Sequence, residues 1–150
     1  MLTFRDLTLA DHDLILPMVQ DFYQGDAVLH PVELEILERT FRDATDAQEP
    51  LLRGLLLEVD GQPAGYVYIT QCYSAEVGGR CIFIEELFLK EAFRGKGLGR
   101  AILTWLEEQY PSARRFRLEV NEVNQNAVHL YQKSGYEYLR YDQMVIDKTK

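Results

Sequence analysis

The apolar positions change period several times along the chain. Phe4 to Leu7 reads as a short first strand. Thr8, with Asp11 three residues on, predicts a helix N-terminus, and Leu14, Met18 and Phe22 share one face of a helix reaching about Tyr23. Pro17 inside that segment predicts a kink or a late start. Residues 24–30 read as a loop. Pro31 fits the first turn of a second helix through about Ala44, with Leu34, Leu37 and Phe41 inward.

Strands follow. Leu55 to Val59 and Ala64 to Cys72 flank the turn signal Asp60-Gly61-Gln62-Pro63, and Cys81 to Leu89 completes an expected antiparallel meander. Leu98, Ala101, Ile102, Trp105 and Leu106 return to helical spacing, closed by Pro111. Phe116, Leu118 and Val120 alternate as in a strand. Ala127, Leu130 and Tyr131 share the face of a short helix that Gly135 should cap. Residues 136–140 and 143–146 predict a final strand pair. The resulting order, βααβββαβαββ, is an α/β fold with a mixed, mostly antiparallel sheet flanked by helices.

A length of 150 residues suits one domain, and 47% apolar residues supply a core without staples. The start Met1-Leu2-Thr3-Phe4-Arg5-Asp6 has neither the basic start nor the apolar run expected of a signal peptide, and no stretch of the sequence approaches the length of a membrane span. Cys72 and Cys81 make neither a disulfide framework nor a zinc site, so a cytoplasmic protein with free thiols and no metal is expected. The net charge of −8 disfavours nucleic acid and suits a cationic partner. A homodimer is compatible with the sequence, which does not fix the oligomeric state.

Basic residues cluster locally against that acidic background. Arg94, Lys96 and Arg100 interleave with Gly95, Gly97 and Gly99 where a strand gives way to a helix. Glycine lets a ligand approach the backbone, and a helix N-terminus offers unpaired N–H groups to an anion, so the segment reads as a phosphate cradle. Walker A spacing is absent, and the dinucleotide Gly-x-Gly-x-x-Gly fingerprint is not met.

The spacing that matches is Arg-x-x-Gly-x-Gly at Arg94, Gly97 and Gly99, which resembles the GCN5-related N-acetyltransferase (GNAT) family. Two further blocks resemble that family in the right order. They are Ile84-Glu85-Glu86-Leu87-Phe88-Leu89 and Asn124 through Tyr136, the latter carrying Asn-x-x-Ala, Leu-Tyr and Lys-x-Gly-Tyr. The likeness is sharp over residues 82–136. It implies an acyltransferase that uses acetyl-coenzyme A. The Leu87–Phe88–Leu89 main chain would hold the pantetheine arm and residues Arg94, Gly95, Lys96, Gly97, Leu98, Gly99 and Arg100 the pyrophosphate. Asn124 and Ala127 would sit against the cofactor, with Tyr131 near the thioester sulfur.

Acetyl transfer needs a neutral amine, a polarised carbonyl and a proton for the leaving thiolate. Tyr131 is the expected donor to sulfur. Glu85 aligns with the carboxylate that polyamine-acetylating members of the family use as a base through water, with Glu86 the alternative. Strand alternation predicts that these two point to opposite faces. Tyr23, Asp26 and His30, near the first interhelical loop, are candidate acceptor-binding groups, by stacking, charge and proton uptake respectively. The expected acceptor is a small-molecule amine, with a polyamine-like cation favoured and a protein amino group as the alternative. A non-catalytic acyl-coenzyme A sensor is the rival reading.

Overall fold

The computed structural model describes residues 1–148. Strand β1 (Leu2–Asp6) leads through a single 3-10 turn (Leu9–Asp11) into helix α1 (His12–Gln24). Thr8 marks this start as expected: its N–H donates to the Asp11 carboxylate at 2.8 Å. Asp11 also takes a forked pair from Arg5 at 2.8 and 2.9 Å, which holds its acid well down, to about 2. Pro17 is accommodated inside α1, which begins late, after the 3-10 turn. Helix α2 (Leu34–Thr45) starts three residues beyond Pro31, so Pro31 lies within the connecting loop and does not open the helix. A residue before proline is biased toward extended backbone, and residues 31–33 remain irregular.

Strands β2 (Leu52–Val59), β3 (Gln62–Ser74) and β4 (Gly79–Leu89) form the expected meander. Helix α3 (Leu98–Gln109), strand β5 (Arg115–Leu118) and helix α4 (Gln125–Lys133) follow. The sheet order is β1-β2-β3-β4-β5, antiparallel except for the parallel β4–β5 pair. Leu56, Tyr66, Tyr68 and Phe88 pack under α1 and α2, whereas Leu55, Leu57, Val67, Ile69, Ile82 and Ile84 pack under α3 and α4. This is the two-sided burial that period-2 alternation demands.

Two expectations fail at the C-terminal end. Strand β5 stops at Leu118, so Val120 lies beyond it, and no strand forms over residues 136–148. Tyr141, Met144, Val145 and Ile146 are exposed there, so the alternation of this segment has no sheet to bury it. Five strands, not seven, make up the described sheet. Among the described residues no helix is long and apolar enough to cross a membrane, and no acidic, His or Cys cluster could hold a metal.

Candidate functional site

Strand β4 runs on for five residues after β5 has ended. The last parallel pair is Ile84 with Leu118, while β4 continues to Leu89. The Lys90 N–H donates to the Ala64 carbonyl on the β3 side. Alternation therefore turns the peptide groups of Leu87 and Leu89 the other way, into the gap left by β5. A row of main-chain donors and acceptors faces that gap, the feature an extended amide chain needs in order to dock as an extra strand.

The turn after β4 ends in Gly97, which caps α3 with φ +75°, and among the described residues no side chain caps that helix N-terminus. An ideal Cβ at Gly95 or Gly97 would meet nothing within 4 Å, so the space beside this turn is open. Arg94, Lys96 and Arg100 are exposed around it. Open backbone, a helix N-terminus and three cations fit a pyrophosphate. Arg94 lies over the Phe88 ring, and its Nε donates to the Leu89 carbonyl at 2.7 Å. Gly99 serves a different purpose: a Cβ there would come within 2.6 Å of Leu130 Cδ2, so its small size lets α4 pack against α3. Leu98 opens the helix beside it.

Helix α4 begins where Asn124 Oδ1 accepts from the Ala127 N–H at 3.3 Å, so the Asn124 side chain is engaged as a cap. It ends on Gly135, at φ +95°, with Tyr136 N–H donating to the Tyr131 carbonyl and Gly135 N–H to that of Gln132. This paired pattern is a Schellman cap and requires left-handed backbone at Gly135. It sets the Tyr136 ring 6.0 Å from that of Tyr131. Tyr131 packs in the cluster that also holds Leu87 and Leu89, and burial alone raises its hydroxyl pKa. A protonated phenol thus stands on the α3–α4 side of the gap.

The two glutamates break the expected alternation. The β3–β4 register pairs Tyr68 with Glu86 but Ile69 with Ile84, so Glu85 is the extra residue of a β-bulge. Ile82, Ile84, Leu87 and Leu89 therefore share the α3 face, and both carboxylates lie on the other. Glu85 accepts from Thr70 Oγ1 at 3.0 Å. Glu86 accepts from the Tyr66 hydroxyl at 2.7 Å and the Tyr23 hydroxyl at 2.9 Å. Tyr66, Tyr68 and Thr70 alternate along one face of β3, which places all these groups together under the α1 side. The prediction of opposite faces is corrected by the bulge, which no period-2 reading reveals.

Their surroundings differ. Glu86 is only 7% exposed, and burial raises its pKa against the lowering pull of the two hydroxyls. Glu85 reaches the surface at the gap, and its pKa is raised by partial desolvation and then by Glu119, with Thr70 opposing. Glu119 follows β5 on the same face and is bonded by Gln143. It was not singled out by the sequence, because nothing local links it to Glu85. Tyr23 sits in the last turn of α1 with its hydroxyl committed to Glu86. Asp26 and His30 lie exposed on the following loop and make no side-chain hydrogen bond among the described residues. Cys72 and Cys81 face each other across β3–β4, and burial followed by Cys72 pushes the Cys81 thiol up to about 11.

Known proteins share this architecture. A ribosomal-protein-alanine N-acetyltransferase from Brucella melitensis superposes with TM-score 0.75 at 19% identity, covering 98% of this chain and 99% of that one. A predicted acetyltransferase from Clostridium acetobutylicum, solved with acetyl-CoA, gives 0.75 at 16% identity, with 97% and 96% covered. In sequence, a thialysine N-epsilon-acetyltransferase from Sus scrofa is 26% identical over 144 residues, 87% of this chain and 81% of that protein. An L-ornithine N5-acetyltransferase from Arabidopsis thaliana is 31% identical over 74 residues, 48% of this chain and 32% of that protein. The family model described as acetyltransferase (GNAT) family matches residues 16–136, spanning the β4 gap, the glycine turn and α4, and the chain belongs to that family.

Proposed function

We propose that this protein moves an acetyl group from acetyl-coenzyme A to the primary amine of a small cationic acceptor, by direct attack within a ternary complex. The observation that carries the reading is the bulge at Glu85. It presents a carboxylate of raised pKa at the same gap that the Leu87 peptide group and the Leu89 N–H face with no strand beside them. The bound thioester would supply an acyl carbon activated toward nitrogen and a thiolate leaving group.

The chain's own residues supply the rest. The Leu87, Phe88 and Leu89 segment would hold the pantetheine amides, and the turn from Arg94 to Arg100 the pyrophosphate. Arg94 would exchange the Leu89 carbonyl for phosphate as the cofactor arrives. A main-chain N–H facing the gap polarises the thioester carbonyl. Glu85 takes the ammonium proton, directly or through water, so that a neutral amine nitrogen attacks. Its raised pKa suits a base near neutrality better than an ordinary carboxylate. As the carbon–sulfur bond breaks, the Tyr131 hydroxyl would donate its proton to the thiolate, and the second proton that the nitrogen sheds on becoming an amide would restore that hydroxyl. The raised Cys81 pKa argues against a covalent acyl-cysteine route.

Acceptor choice draws on the carboxylates Glu85 and Glu119, which favour a cation at the mouth. The names of two relatives specify the ε-nitrogen of thialysine and N5 of L-ornithine, both terminal amines on short chains. An amino acid or polyamine of that kind fits the same chemistry, in the cytoplasm where acetyl-coenzyme A is made available. Thiol release from acetyl-coenzyme A, measured across a panel of ornithine, lysine, thialysine, diamines, polyamines and an N-terminal peptide, tests the reading. Release with the cationic small amines is expected. Release with the peptide alone would replace the acceptor class, and none with any amine would favour the sensor.

A further inference from the structure

Glu86 is a buried carboxylate that the chemistry above leaves unused. Each of its oxygens accepts from a different tyrosine: Oε1 from Tyr66 at 2.7 Å, and Oε2 from Tyr23 at 2.9 Å. Tyr66 is fully buried on β3 and forms the fixed side of this arrangement. Tyr23 belongs to the last turn of α1, one residue before the helix ends at Gln24. Residues 25–33 then run without regular structure to α2. The bond from Tyr23 to Glu86 is therefore the last polar tie between α1 and the sheet before the loop. It lands on the residue next to Glu85.

We propose that Glu86 is a positioning residue that clamps Tyr23, and with it the end of α1, beside Glu85, so that the Tyr23 ring and not its hydroxyl walls the acceptor site. The inference rests on the acetyltransferase reading above and adds a division of labour between the adjacent glutamates. Three features separate Glu86 from a base or an ammonium ligand. It is 7% exposed, both oxygens are already occupied by hydroxyl donors, and among the described residues no basic side chain hydrogen-bonds or ion-pairs with it. An amine reaching Glu86 would have to displace a tyrosine. Two hydroxyl donors arriving from different elements explain why a carboxylate, with an acceptor at each end, stands here.

Glutamine is the decisive substitution. Its carbonyl accepts from one hydroxyl and its NH2 donates to the other, so both contacts survive while charge and basicity are lost. Acetyl transfer to the best amine of the panel would be followed across pH in wild type, Glu86→Gln, Glu86→Leu and Tyr23→Phe. Hydrogen exchange of residues 20–33 would be read in the same proteins. Glu86→Gln is expected to stay within about threefold of wild type with an unmoved acid limb. Tyr23→Phe and Glu86→Leu should raise the acceptor KM about five- to tenfold, because a hydrogen bond to a charged group is lost, with kcat nearly unchanged. Exchange of residues 20–33 should quicken in those two and not in Glu86→Gln. Tyr23→Phe keeps the test valid where Glu86→Leu fails to fold. A loss beyond about a hundredfold in Glu86→Gln, or an acid limb displaced by it, would overturn the clamp in favour of a base or ligand. So would unchanged KM and exchange in Tyr23→Phe. If wild type acetylates no amine, the acetyltransferase reading falls, and the exchange measurements still decide the clamp.

Discussion

Gly97→Val separates the backbone's need for glycine from the cofactor's. Gly97 sits at φ +75°, and an ideal Cβ there meets nothing within 4 Å. The cost to the folded chain is thus conformational only, about 1–2 kcal/mol for a left-handed residue with a Cβ. That is tolerable against a typical stability of about 5–15 kcal/mol. The open space is the space proposed for the pyrophosphate. A valine side chain there would remove two charge-assisted contacts, worth about 1.5–3 kcal/mol each, so coenzyme A should bind about a hundredfold to ten-thousandfold more weakly. Gly61→Val is the matched control. Gly61 lies in the β2–β3 turn at φ +78°, also with nothing within 4 Å of its Cβ. Both variants should lose similar thermal stability, and only Gly97→Val should lose affinity in calorimetric titration with coenzyme A. Affinity within threefold of wild type in Gly97→Val would refute the placement of the phosphates, and equal losses in both variants would trace the effect to general destabilisation.

Four further outcomes follow from the geometry. Tyr131→Phe should lower kcat by about 10²–10⁴-fold with little change in coenzyme A affinity, since a general acid acts in the transition state; a kcat within twofold would reduce Tyr131 to packing. Glu85→Gln should depress kcat/KM most at low pH and least near the amine's own pKa, and the wild-type acid limb should lie above the ordinary carboxylate value, as the raised pKa requires; a loss carried mainly by a raised KM, greatest where the amine is cationic, would make Glu85 an ammonium ligand. Glu86 has a folded pKa raised by burial, so the folded state holds its proton more tightly and stability falls as pH rises from the unfolded value through the folded one. Glu86→Gln should therefore match or exceed wild-type Tm at neutral pH, with any gain vanishing on acidification below about pH 4, which thermal melts at several pH values would check. Gly65→Ala would place a Cβ 2.0 Å from the Phe88 carbonyl oxygen, a backbone clash in the centre of β3–β4; expression yield and circular dichroism should report a chain that folds poorly or not at all.

The legible parts of this protein are those whose cause is local. Thr8 and Asp11 announced the start of the first helix, because a cap is made within three residues. Gly135 announced the end of α4, because a Schellman cap needs left-handed backbone at one position. Gly95, Gly97 and the cations among them announced an anion cradle for the same reason: strand end, turn and helix start are consecutive in the chain. What the tertiary structure decided depends on partners far apart in sequence. The bulge at Glu85 exists only in the register of β4 against β3, and it placed on one face two glutamates that alternation had separated. Tyr66 and Tyr23 reach Glu86 from 20 and 63 residues away, so no spacing rule could have found them. Glu119 joins the site because parallel pairing sets β5 beside β4. The segment over residues 136–148 shows the converse. Its strand-like alternation is real, but alternation becomes a strand only when a neighbouring edge takes up its hydrogen bonds, and the described chain does not bring it to one.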